Sequence, residues 1–238
     1  MLNAKCWMKD LYSFHKSEDT LIEYYNNVKL AYKKIFDRLW IWNDTYETLA
    51  SGWDFTTLNS HEYQTILSIW EDDIYICKDC NTAHNKEIVD LENWFVCSKC
   101  GSKHVDVKKA SEVWNIFPLM TRFTDAFNLK YTNDVWTSNQ VYMWCYGIWV
   151  SRLMWVIAEY FMDDKGLVWP ESIAPASHYI IVMWDNLEKA LELAKSLESK
   201  WYNTIIDDRE KVGFWQKASD ADLLWILNRT VVSDKTLQ

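Results

Sequence analysis

The chain has 238 residues, 49% hydrophobic and 25% charged, enough to bury a core and too apolar for wholesale disorder. Its formal charge of −9 excludes a general nucleic-acid coat protein and leaves room only for a local basic face that reads one RNA. One count is abnormal: 5 glycines stand beside 16 tryptophans, where about 7% glycine is ordinary. The expectation to test along the chain is that tryptophan occupies glycine positions.

Residues 18–39 predict an amphipathic helix. Leu21, Tyr25, Val28, Tyr32, Ile35 and Leu39 recur every three or four residues, and Thr20 with Glu23 fits a capping box. Trp40 and Trp42 follow at once, where a helix end favours glycine because glycine turns left-handed without a Cβ clash.

From Asp73 to Val107 the composition turns polar and carries two CxxC pairs, Cys77 with Cys80 and Cys97 with Cys100. Four thiolates at this spacing suit a tetrahedral, closed, structural Zn²⁺ site, with a ribbon expected at about 74–104. Disulfides would need an oxidising compartment, which no export signal supports; the expected compartment is the cytoplasm. His84 and His104 are expected to face solvent. Cys6 and Cys145, taken alone, read as small buried hydrophobes.

Residues 111–160 read as strands followed by a helix. The apolar run 141–162 is long enough to span a bilayer, but Arg152 and Glu159 lie inside it, so no span is expected. From Trp169, announced by Pro170 and Pro175, a separate α/β unit begins. HYIIVM, a helix over 187–200 capped by Asp185, and the strand-like YNTII make a βαβ unit. Trp184 and Trp201 sit in its two connections, where the backbone needs flexibility.

Three groups of segments carry a resemblance. The first is MKDLYSFH at 8–15 with SHEYQTI at 60–66; the second is VYMWCYGIWVSRLMWVIAEY at 141–160. The third is GLVWPESIAP at 166–175, followed by YNTIIDDR at 202–209 and QKASDADL at 216–223. In this order the chain resembles the C-terminal part of the bacterial-type prolyl-tRNA synthetases, a family of class II aminoacyl-tRNA synthetases.

The resemblance implies an α+β/α/β chain. A partial class II antiparallel-sheet catalytic domain, from a motif 2 remnant to motif 3, spans 1–168 with the zinc ribbon inserted. An α/β anticodon-binding domain, truncated at its end, spans 169–238. The implied reaction is ATP + L-proline + tRNA(Pro) to prolyl-tRNA(Pro), AMP and diphosphate, with ATP taken as its Mg²⁺ complex. The full-length protein is expected to be a homodimer. The first strand of motif 2, motif 1, the proline-sensing loop and the editing domain are expected to be missing, leaving this fragment inactive alone. The alternatives are a stand-alone tRNA-binding module without aminoacylation, and a zinc-ribbon protein stacking single-stranded nucleic acid on aromatic surface.

The resemblance also implies residue roles. Arg152 of motif 3 holds the ATP phosphates, a task suited to a guanidinium with several fixed donors. Cys145 lines the proline pocket; Asn115 and Thr121 border the substrate; His61 and Glu62 line the floor. Met120 stands where the family prefers glycine. Arg209 and Asp208 meet the anticodon, with Lys217 and Asp222 extending that surface; the alternative for Arg209 is an intramolecular pair with Asp207, Asp208 or Glu210. The family has glycine at the positions of Trp40, Trp70, Trp114, Trp144, Trp149, Trp155, Trp184, Trp201, Trp215 and Trp225, and tryptophan at Trp169. UGA codons read by the cell as glycine and rendered as tryptophan account for this economically.

Overall fold

The computed structural model describes residues 7–70, 72–89 and 95–237, so Cys6 lies outside the described residues. The chain forms two compact units that divide between Val156 and Ile157.

The first unit runs β1 (Met8–His15), α1 (Glu18–Arg38), β2 (Thr45–Ala50), β3 (Ser60–Ile66), β4 (Asp72–Cys77), β5 (Ala83–Asn85) and β6 (Val105–Met120). Then come α2 (Arg122–Ala126), β7 (Lys130–Thr132), β8 (Ser138–Gln140), β9 (Tyr142–Trp149) and α3 (Val150–Phe161), within which the two units divide. Seven strands join in the order β1-β9-β6-β3-β2-β5-β4, and β4 also pairs with β6. The pairs are antiparallel except β2 with β5, so the sheet is mixed. β7 and β8 form a separate hairpin.

β6 links two regions. Its first residues, Val105 to Ala110, pair with β4, and from Ala110 onward it pairs with β3 and then β9. α1 lies on one face of this sheet, burying Leu21, Tyr25, Val28, Tyr32 and Phe36. Tyr32 stacks on Trp114 and meets Tyr63 edge-on, while Tyr25 stacks on Trp144.

The first helix starts at Glu18, as expected, but Thr20 is not its cap. Ser17 is the N-cap, its Oγ accepting from the Thr20 amide, so Thr20 lies inside the first turn. The run 141–162 is broken into β9 and α3, and among the described residues no helix is long and apolar enough to cross a membrane.

The second unit continues from the end of α3 with β10 (His178–Val182), α4 (Leu187–Glu198), β11 (Thr204–Asp207), α5 (Phe214–Leu223) and β12 (Asn228–Val232). Its sheet, β11-β10-β12, is parallel throughout. Alternation along β10 feeds two cores. Tyr179 and Ile181 pack with Ala221 of α5, whereas Ile180 and Val182 pack with Ala190 and Ala194 of α4. Asn186, not Asp185, precedes α4, and its amide bonds the Met183 carbonyl and Asp234 instead of capping.

Candidate active site

The period-two alternation of strands sorts the first unit's residues between two faces. His61, Tyr63, Trp114, Trp144 and Tyr146 share the face covered by α1, a grouping their ring contacts make explicit. Asp10, Gly147, Asn115 and Glu62 are consecutive partners across β1, β9, β6 and β3. Asp10, Asn115 and Glu62 line a cavity of about 600 Å³, joined by Tyr12, Glu112, Cys145 and Arg152.

Arg152, in the first turn of α3, donates through Nη1 to the Glu112 carbonyl at 3.0 Å and to Glu112 Oε2 at 3.1 Å. Its guanidinium also lies 4.3 Å from the centre of the Trp149 ring. Asn115 donates to the other oxygen of Glu112 at 3.0 Å. A side chain at Gly147 would bring its Cβ within 2.9 Å of Asn115 Oδ1 and of the Met8 methyl, so both would have to shift, whereas glycine leaves Asn115 in place.

Glu62 is buried and accepts from Gln64 and Asn85. Burial, followed by the nearby Glu112 carboxylate, pushes its pKa up to about 8. Burial raises Glu112 too, against the pull of Arg152. The Cys145 thiol is held neutral by burial, which raises its pKa. The cavity therefore offers one fixed cation beside two acids that resist ionisation, with a small apolar sulfur on the floor.

The expected substrate residues divide. Arg152, Cys145, Asn115 and Glu62 line this cavity. His61 faces α1 instead, 5.5 Å from the Tyr25 ring, because its neighbour Glu62 takes the cavity side of β3. Thr121 precedes α2, where its carbonyl accepts from Thr124 and Asp125, away from the cavity lining. Sequence reasoning missed Glu112, although a single acid just before the apolar run VWNIF is the kind of signal that marks a buried charge.

Near β4, the ligand atoms of Cys77, Cys80, Cys97 and Cys100 lie within 4.8 Å of one another. The pairs Cys77–Cys100 and Cys80–Cys97 each stand 3.5 Å apart, too far for a disulfide and suited to a shared ion. His104 is exposed beside Asp79. His84 is buried, contrary to the expectation of a solvent-facing ring, because Ser98 takes its Nε2 at 2.8 Å and Phe95 packs edge-on against it.

In the second unit, Arg209 makes two bonds to Asp207, at 2.8 and 2.7 Å, and one to Asp220 at 2.7 Å. This guanidinium holds the Asp207 carboxyl at about 2. Asp208 is exposed. Lys217, expected on the same surface, is 2% exposed and donates to the carbonyls of Val182 and Asp207, so it serves the interior of the unit. Asp222 pairs with Arg229.

Residues 5–161 match the family model of the tRNA synthetase class II core domain (G, H, P, S and T). The chain is 27% identical to the proline–tRNA ligase of Ehrlichia chaffeensis, over 97% of this chain and 57% of that one. It is 31% identical to a probable mitochondrial proline–tRNA ligase of Schizosaccharomyces pombe, over 91% and 52%. It thus spans about half the length of these relatives. In fold it is similar to the Giardia lamblia prolyl-tRNA synthetase solved with prolyl-adenylate. The TM-score there is 0.65 at 19% identity, covering 97% of this chain and 41% of that one.

Proposed function

Because the chain belongs to the class II tRNA synthetase core family, we propose that it is part of a proline–tRNA ligase, with the cavity floored by Cys145 as its site of proline activation. The observation that carries this reading is the convergence of Arg152, Glu112, Asn115 and Cys145 on one cavity. Relatives named as proline–tRNA ligases from bacteria and mitochondria support it.

Activation joins the proline carboxylate to the α-phosphate of MgATP and releases pyrophosphate. Arg152 sits where developing charge on the phosphates would be met by fixed donors, and Glu112 holds its guanidinium before substrate arrives. The neutral Cys145 thiol offers the apolar ring of proline a small contact that carries no charge. Asn115, held by Glu112, supplies a polar group beside it.

The four ribbon cysteines would hold a structural Zn²⁺, since their number, thiolate chemistry and grouping fit a closed tetrahedral site. The ribbon then serves the fold and takes no part in the chemistry. The second unit would bind the anticodon of tRNA(Pro) through Asp208 and the loop after β11, with Arg209 fixing that loop through its carboxylate pairs.

The test is pyrophosphate exchange into ATP by the protein as its own cell makes it, assayed with each amino acid in turn. Proline alone should support exchange, and Arg152→Ala should lower kcat/KM by about 100-fold or more. Exchange driven by a different amino acid, or undiminished in the variant, would overturn the reading.

A further inference from the structure

Two physical signatures, each foreign to tryptophan, divide many of the tryptophans between them. Trp40, Trp53, Trp136, Trp184, Trp201 and Trp225 have φ between 46° and 66°. In that left-handed region a Cβ crowds the following carbonyl, and a bulky side chain there is an outlier. The other described non-glycine residues with positive φ are Asn81, Asn128 and Met120, and asparagine is the type that tolerates it.

Three of the six close helices in a specific way. After α1, the Trp40 amide bonds the Asp37 carbonyl and the Ile41 amide bonds the Phe36 carbonyl. After α4, Trp201 bonds Glu198 and Tyr202 bonds Leu197 in the same pattern. This is the Schellman closure, and its left-handed position belongs to glycine. Trp225 takes the equivalent position after α5, its amide bonding Asp222.

The second signature falls on different residues. Trp70, Trp114, Trp144 and Trp149 bury an indole N–H with no acceptor, whereas buried tryptophan ordinarily finds one. Trp42 carries neither signature. Its ring takes Lys33 at 4.9 Å and stacks on Phe36, as a selected tryptophan does.

We infer that the six left-handed positions and the four with orphaned indoles are glycine in the polypeptide the source cell makes, its UGA codons being read as glycine. The structure adds residues 53 and 136 to the positions the sequence resemblance points to. Trp155 and Trp215, exposed on helices, carry neither signature.

The inference reshapes the cavity of the first unit. The Trp149 ring covers the guanidinium of Arg152, and Trp53 lines both this cavity and a smaller acidic one of about 290 Å³ beyond Glu62 and Glu112. Glycine at both positions uncovers Arg152 and joins the two spaces into one trough. That consequence rests on Arg152 as the phosphate ligand; the identity of the ten residues does not.

The test combines two measurements that do not depend on activity. Peptide mass spectrometry of the protein from its own cells, read against its gene, should give glycine at UGA codons in all ten positions and tryptophan at a UGG codon for Trp42. Tryptophan in the peptides or UGG codons at those positions overturns the inference. Recombinant chains with tryptophan and with glycine at the ten positions are then melted side by side. The glycine chain should melt higher by roughly 10 °C or more, whereas Trp42→Gly should lower the Tm. A tryptophan chain that fails to fold beside a folded glycine chain supports the inference, and an equal or lower Tm for the glycine chain refutes it.

Discussion

Glu62 and Glu112 lie on neighbouring strands of one buried floor, and their protonation couples the cavity to the stability of the fold. The Glu62 carboxyl has its pKa raised from 4.5 to about 8 by burial and by Glu112. Below pH 4.5 both the folded and unfolded chains hold the proton, so the stability associated with Glu62 is fully present there. As the pH rises, the unfolded chain ionises first, and that stability is lost on the way to pH 8. Glu62→Gln keeps the neutral form, with its carbonyl able to accept from Gln64 and Asn85. In urea titrations it should match the parent near pH 4 and exceed it by roughly 2–4 kcal/mol at pH 8. A variant weaker than the parent at both pH values would show that the carboxylate itself is needed. At this scale the sequence was only partly legible. Arg152 and Cys145 could be found because their motif wording is specific. The choice between His61 and Glu62 could not, because adjacent strand residues face opposite ways and only the docking of α1 decides which side is the cavity.

Among the elements, the grouping of the four cysteine sulfurs was legible from spacing alone, since two CxxC pairs bring them together without reference to the rest of the fold. Cys97 is 2% exposed and packs with Phe95 and Cys77, so it is both ligand candidate and core residue. Cys97→Ser should reduce bound zinc below one ion per chain and speed amide exchange across residues 74–104, with smaller effects on α4. Elemental analysis that finds no zinc in the parent protein, with the thiols free, would remove the metal from the account. The helices were legible in their starts, at residues 18 and 187, and less so in their capping residues. The cap of α1 is Ser17, three residues before the Thr20 that the capping-box pattern favours, because serine directly precedes the acidic first turn Glu18–Asp19. The βαβ unit of β10, α4 and β11 follows the expected order. Its sheet is parallel throughout because β12, like β11, reaches β10 by a crossover through a helix.

At the scale of the molecule, a chain of net charge −9 must meet a polyanion through a few placed groups. In the second unit Arg209 adjoins Asp208 at the proposed anticodon edge, and it is engaged by Asp207 and Asp220. Arg209→Ala, titrated against tRNA(Pro) and an anticodon-swapped control, should cost roughly 1–3 kcal/mol with the cognate and narrow the gap between the two. An equal loss on both would assign it to phosphate, and no loss would take it out of the interface. The first unit carries a different whole-chain constraint, set by the length of β6. One strand of 16 residues pairs with β4 beside Cys77 at its start and with β9 at the cavity near its end. The strand already takes up one extra residue at Val113 and one at Leu119. Its pairing with β4 runs without a shift, so inserting or deleting a residue near Val107 would turn the residues beside it to the opposite face or tear the strand from β4. Changes of length should therefore accumulate at the tip of the β7–β8 hairpin, and be purged between Val105 and Ala110, where β6 pairs with β4. In a library of random indels read out by growth, the first six residues of β6 should appear as an uninterrupted gap.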